Sequence, residues 1–197
     1  LVLVPSRATA DDLVALGFDS ARVRVVPWGV EAHAVTDDDR ARVRVLHALP
    51  DRFVLFVGTL EPRKNLARLA AAVARLDESI PLVVAGASGW GDAVPAGDHV
   101  RFLGFVDAAD LPALYASATV FAYPSLQEGF GMPILEAMAH GAPVVTSRGS
   151  STEEAAAGAA ALADATDVDA IASAIASVLA DPAPWVEQGH ARVATAT

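Results

Sequence analysis

Four stretches concentrate the residue types that could hold an anionic or hydroxylated ligand. In Gly58-Thr59-Leu60-Glu61-Pro62-Arg63-Lys64-Asn65 two cations stand side by side, and Lys64 is the single lysine of the chain. Adjacent cations suit a diphosphate, the arginine as a planar fork and the lysine as a point charge. In Glu128-Gly129-Phe130-Gly131-Met132-Pro133-Ile134-Leu135-Glu136 two carboxylates lie eight positions apart around a glycine-rich turn. Pro133 suits the first turn of a helix, and Gly129 and Gly131 allow close backbone approach just before it. Such a helix start offers free N–H groups to an anion or to sugar oxygens. A carboxylate accepts two hydrogen bonds side by side, which fits a vicinal diol, so one glutamate could hold a ribose and the other a hexose. The remaining stretches are Gly86-Ala87-Ser88-Gly89-Trp90-Gly91 and Gly104-Phe105-Val106. The plain alternative for each charged residue is solvent exposure, with Arg63-Lys64 merely opening a helix at Asn65.

Other candidates carry less. His33, His47, His99, His140 and His190 lack ligand-like spacing, so no metal site is expected. The absence of cysteine removes disulfides, thiolate metal sites and a cysteine nucleophile. The stretch 86–91 resembles a phosphate loop loosely and lacks the Gly-Lys-Ser/Thr ending. Ser151 or Thr152 is expected to cap a helix with Glu153 and Glu154 in its first turn, and His140 to close one before Gly141.

The elements that must position these residues alternate along the chain. Strands are predicted at 1–4, 23–26, 53–57, 82–85, 100–102, 120–122 and 144–146. Helices are predicted near 7–16, 37–48, 65–77, 108–117, 132–140 and 168–180, and 155–161 reads as tight helix or turn packing. Continuous apolar runs such as Phe53-Val54-Leu55-Phe56-Val57 read as strands buried on both faces. The alternation predicts an α/β, Rossmann-like parallel sheet of six or slightly more strands with helices on both faces. Ligands bind beyond the carboxyl ends of such strands, where all four glycine-bearing stretches should meet. Residues 1–26 read either as the tail of a preceding domain or as an edge of this one.

The composition agrees with a folded domain. Of 197 residues, 53% are hydrophobic and 19% charged, which excludes a disordered tail. A net charge of −10 argues against a general nucleic-acid binder. No apolar run approaches the roughly 18 residues of a membrane span. The chain begins at Leu1 without a charged leader and is expected to be a fragment of a longer protein.

With these residues in order, the chain resembles the C-terminal, donor-binding domain of the family-four retaining GT-B glycosyltransferases, a group with many bacterial mannosyltransferases. The landmarks are Val26-Pro27-Trp28-Gly29-Val30, Gly58-Thr59 to Asn65, Gly104-Phe105-Val106, and Tyr123-Pro124-Ser125 running into Glu128-Gly129-Phe130-Gly131. Glu136-Ala137, Gly141-Ala142-Pro143-Val144-Val145 and Ser151 to Glu154 follow. Departures are Trp28 where Asn is usual, Glu153 where Pro is common, and Ala157-Gly158 in place of Gly-Asp. The resemblance implies that Arg63 and Lys64 hold the donor diphosphate and that Glu136 binds the ribose. Glu128 would lie beside the donor sugar. Gly129, Phe130, Gly131 and Met132 would contact sugar or phosphate, Val106 and Leu111 would border the base, and Gly58 and Thr59 would line the cleft. It implies no metal or other cofactor, and a nucleoside-diphosphate sugar as substrate, GDP-mannose ahead of UDP-sugars. Residues 1–30 would end a missing acceptor-binding domain and its linker, 31–182 would form the donor domain, and 183–197 would start a crossover helix. The full-length enzyme is expected in the cytoplasm, with room for peripheral contact at the membrane face. The chain alone is expected to transfer nothing. A sugar-nucleotide epimerase or phosphorylase on the same architecture and a non-catalytic nucleotide-sugar-binding module are the competing readings.

Overall fold

In a computed structural model, which describes residues 1–76, 79–89 and 97–196, the apolar runs pair as parallel strands. Val2–Val4 (β1), the helix Arg7–Ala15 (α1) and Val23–Val25 (β2) form a small unit in which β1 and β2 pair only with each other. Residues 1–26 are therefore not an edge of the main sheet. There follow Asp37–Leu46 (α2), Val54–Val57 (β3), Leu66–Val73 (α3), Leu82–Ala85 (β4), Val100–Gly104 (β5), Leu111–Ser117 (α4) and Val120–Tyr123 (β6). Met132–Ala139 (α5), Val144–Ser147 (β7), Ser151–Ala156 (α6), Ala161–Ala163 (β8), Val168–Ala180 (α7) and Ala183–Ala194 (α8) complete the chain.

The main sheet has six strands in the order β5-β4-β3-β6-β7-β8, all parallel. β4, β6 and β7 are buried along their whole length. Each fully buried Val, Leu or Phe side chain contributes about 1.5–3 kcal/mol relative to exposure, so these runs drive the fold. α7 and α5 both touch β6 and β7 but pair with different helices, α7 with α3 and α5 with α4, α6 and α8. The two faces of the sheet are thus separately covered, which is the Rossmann-like arrangement expected from the pattern.

Local chemistry sets several boundaries. Thr36 caps α2 in a reciprocal box with Asp39, which explains the helix start at the aspartate run. α4 begins at Leu111 rather than 108, because residues 107–110 form a turn closed by the Asp110 N–H on the Asp107 carbonyl. The helix expected over 65–77 is α3 and ends at Val73; residue 77 lies outside the described residues. The stretch 155–161 closes α6 and turns into β8, the sixth strand of the main sheet, whose alanines carry no β-branched signature but pair with β7. One expectation is corrected. The cap of α6 is Ser150, which accepts from the Thr152 N–H, and neither Ser151 nor Thr152 fills that role.

Candidate functional site

The chain winds outward from β3 to β5, then returns to the other side of β3 to build β6 to β8. That reversal opens a crevice between β3 and β6, where open parallel sheets bind ligands. It sets the loop after β3, bearing Arg63 and Lys64, beside the loop after β6, bearing Glu128. Backbone hydrogen bonds knit the four glycine-bearing loops together. The Gly58 N–H donates to Ala85, Gly86 to Gly104 and Leu126 to Arg63, at 2.8–2.9 Å. Gly86 is required for this approach: a Cβ there would lie 2.0 Å from the Gly58 carbonyl oxygen. Trp90 and Gly91 lie outside the described residues.

Lys64 ends a single helical turn, and Asn65 follows in the left-handed region at φ 60°. The Asn65 amide repays that strain by donating to the carbonyls of Pro124 (2.9 Å) and Ala165 (2.6 Å), tying the two loops. Lys64 is thereby buried, with its Nζ 2.6 Å from Glu128 Oε1. Nζ also meets the Tyr123 hydroxyl, which donates to Glu128 Oε1 at 3.0 Å. The other carboxylate oxygen, Oε2, accepts from Arg63 at 2.7 Å, and the Arg63 Nε donates to Glu61. Burial opposes charge on Glu128, but hydrogen bonds and attraction from Lys64, with Arg63 and Tyr123, outweigh it and hold its carboxyl below the ordinary glutamate value. Burial, reinforced by the Glu128 charge, pushes the Tyr123 hydroxyl far up, so it stays protonated as a donor.

The glycine turn is held from three sides. Ser151 donates to the Glu128 carbonyl at 2.7 Å. Ser6 and Thr9, at the start of α1, donate to the Gly129 carbonyl at 2.6 and 3.0 Å. Gly131 takes φ 107° to turn the chain into α5, and a Cβ there would press within 3.1 Å of Thr152. The result is a cleft of about 590 Å³ lined by Arg63, Lys64, Tyr123, residues 127–133, Trp28, Thr9 and Asp12. A second cavity of about 290 Å³ adjoins it and shares Met132. There Glu136 accepts from the Tyr115 hydroxyl at 2.8 Å. His140 stacks on Tyr115 and on His33, and Leu111 lines the wall.

The sequence-selected residues Arg63, Lys64, Glu128, Gly129, Phe130, Gly131 and Met132 thus converge in the first cleft, and Leu111, Met132 and Glu136 in the second. Three do not join them as expected. Val106 is buried in the core, Gly58 packs behind the Lys64 stem, and Thr59 faces the 86–89 loop. The family resemblance implied roles for these three, and none of them lines either cavity. The sequence reading missed Tyr123, Tyr115 and Ser6. A tyrosine closing a buried strand just before a ligand loop was the available signal for Tyr123. The solvated-pair reading of Arg63-Lys64 fails for Lys64, which is 7% exposed. Among the described residues, no group of three or more His, Asp or Glu side chains could hold a metal ion.

The sequence model for glycosyl transferases group 1 matches residues 37–194. The chain is 43% identical over 152 residues to the O-antigen chain mannosyltransferase B of Escherichia coli, covering 71% of this chain and 40% of that protein. It is 33% identical over 204 residues to the GDP-mannose-dependent alpha-(1-6)-phosphatidylinositol monomannoside mannosyltransferase of Mycolicibacterium smegmatis, covering 92% of this chain and 53% of that one. Among solved structures, Anabaena Alr3699/HepE in complex with UDP-glucose superposes with a TM-score of 0.86 at 22% identity, covering all of this chain and 58% of that one. The chain therefore spans between two fifths and a little over half the length of these proteins. Among the described residues, no helix is long and apolar enough to cross a membrane.

Proposed function

The chain belongs to the glycosyl transferases group 1 family, and from that premise we propose that it is the donor-binding part of a retaining hexosyltransferase. Its donor is a nucleoside-diphosphate sugar, with GDP-mannose favoured by the mannosyltransferases among its relatives. The observation that carries the reading is the pairing of two adjoining cavities, one holding Arg63, Lys64 and Glu128 and the other Glu136, joined at Met132. That pairing suits a ligand with an anionic middle and a hydroxylated group at either end. The diphosphate lies against Arg63, Lys64 and the N-terminus of α5, the ribose hydroxyls meet Glu136, and the hexose lies beside Glu128.

The chemistry follows from the charges. Breaking the sugar–phosphate bond leaves growing negative charge on the diphosphate. Lys64 and Arg63, once they hold the diphosphate, neutralise that charge as it grows, and the helix dipole adds to them. These groups serve the leaving group without a metal. Both cations rest on Glu128, so the donor phosphates take over hydrogen bonds that the carboxylate makes in this structure. Glu128 is then released towards the sugar. Residues 1–30 are read as the end of an acceptor-side domain and its linker, 31–182 as the donor domain, and 183–197 as the start of a crossover helix. The whole enzyme is read as cytoplasmic, with room for peripheral contact at the membrane face.

Calorimetric titration of the chain with GDP, UDP, ADP and their sugars tests this. We expect GDP-mannose to bind with a dissociation constant in the high micromolar to millimolar range, on the order of −4 to −6 kcal/mol. Sugar transfer by these residues alone is not expected, because positioning of an acceptor hydroxyl, which supplies about 7–11 kcal/mol, needs the second wall of a complete enzyme. A chain that binds none of these ligands would contradict the reading.

A further inference from the structure

The first cleft has a wall that the donor reading leaves unused. Trp28 meets the buried Phe130 edge to face, with ring centroids 5.9 Å apart and planes at 70°, yet the residue stays 54% exposed. Packing on Phe130 fixes the indole plane, and the residue lines the cleft. Asp12 of α1 and Gln127 line the same space. Among the described residues, no hydrogen bond or ion pair engages the Asp12 carboxylate, the Gln127 amide or the Trp28 indole N–H. Among the described residues, the cations lining the cleft are Arg63 and Lys64, both paired with Glu128, and the Arg63 guanidinium also donates to the Gln127 carbonyl at 3.3 Å.

A rigid, half-uncovered aromatic face beside a free carboxylate and a free amide is a combination with a definite chemistry. The C–H face of a pyranose stacks on an indole, and its edge hydroxyls donate to a carboxylate and pair with an amide. A phosphorylated ligand on this wall would instead meet the negative charge of Asp12, because the two cations of the cleft are those assigned to the donor diphosphate. We propose that Trp28, with Asp12 and Gln127, seats the acceptor, and that the part of the acceptor entering the cleft is an uncharged pyranoside. This rests on the donor reading above, since the pyranoside is placed facing the sugar beside Glu128.

The test uses the chain with saturating GDP and two probes, methyl α-mannopyranoside and inositol 3-phosphate, followed by saturation-transfer NMR. Transfer to the ring C–H protons of the mannoside is expected, with a weaker response from the phosphorylated cyclitol. Trp28→Ala should raise the mannoside dissociation constant on the order of fivefold, the scale of a lost aromatic contact, and leave those of GDP and GDP-mannose unchanged. Trp28→Phe should restore most of the mannoside affinity, which separates stacking from a merely structural role. Bound GDP without mannoside transfer overturns this proposal alone. So does an equal loss of GDP-mannose affinity in Trp28→Ala, which would assign the indole to the donor, or tighter binding of the phosphorylated probe. Absence of GDP and GDP-mannose binding in the unmodified chain overturns the donor reading and this one together.

Discussion

Glu128 and Glu136 flank the same glycine turn and helix start, yet their surroundings differ. Glu128 is claimed by Lys64, Arg63 and the Tyr123 hydroxyl. Glu136 receives one hydrogen bond, from Tyr115, and among the described residues no cation faces it. A carboxylate already neutralised by two cations must trade partners when an anion arrives. A carboxylate with one neutral donor keeps lone pairs ready for hydroxyls. On the proposed donor reading, the difference separates an exchange site for phosphate from a preset site for a diol, although both residues read alike in the sequence.

Removing Lys64 strikes the exchange site hardest. Lys64→Ala is expected to weaken GDP about ten- to hundredfold, since a charge-assisted hydrogen bond is worth about 1.5–3 kcal/mol. The same change leaves the nearly buried Glu128 with Arg63 as its remaining cation, so a fall in melting temperature should accompany it. Calorimetry and thermal melts read both, and an unchanged GDP affinity would return Lys64 to a purely structural role. Glu136→Ala comes next. It should cost every nucleoside ligand about tenfold, with or without a sugar, the scale of one or two hydrogen bonds to a charged group. Sparing of one nucleotide class would break the assignment of Glu136 to the ribose.

Glu128→Gln should act in the opposite direction on the bare nucleotide. Weakening the carboxylate's hold on Lys64 and Arg63 frees them for phosphate, so GDP should bind as tightly or tighter, while the added affinity of GDP-mannose over GDP shrinks. A parallel loss for both ligands would show that Glu128 does not compete with phosphate. The smallest effect concerns acid stability. Burial disfavours the Glu128 charge, but its Lys64, Arg63 and Tyr123 partners depress the carboxyl below the ordinary value of 4.5. Its stabilising contribution is therefore complete above that value and fades as pH falls through the lower folded value. Thermal melts between neutral pH and pH 3 should show a shallower acid decline in Glu128→Gln than in the unmodified chain.

The parts legible in advance were those whose signal is local. Apolar runs ended by glycine marked β3 and β4, one ended by proline marked β6, and their alternation with helices marked the parallel sheet. Arg63-Lys64 and the paired glutamates were legible because few structural roles need those types in those places. β8 was not, because Ala161-Leu162-Ala163 has no β-branched residue and becomes a strand only by pairing with β7. Nor was the clasp of Ser6 and Thr9 on Gly129, which spans more than a hundred residues of chain and leaves no periodicity. Tyr123 was hidden by its apolar strand, whose burial it shares while its hydroxyl alone reaches the site. Val106, Gly58 and Thr59 were assigned to the site by resemblance, which gives position along the sheet edge but not the direction of each side chain.

The most direct test of the two-site account is a crystal structure of the chain with GDP-mannose. It should place the diphosphate oxygens within hydrogen-bond reach, about 3 Å, of Lys64 Nζ and the Arg63 guanidinium. The ribose hydroxyls should lie on the Glu136 carboxylate, and Glu128 should have turned from the cations to the mannose. Density for the nucleotide away from these residues, or a diphosphate bound while Lys64 and Arg63 keep their present contacts with Glu128, would contradict it.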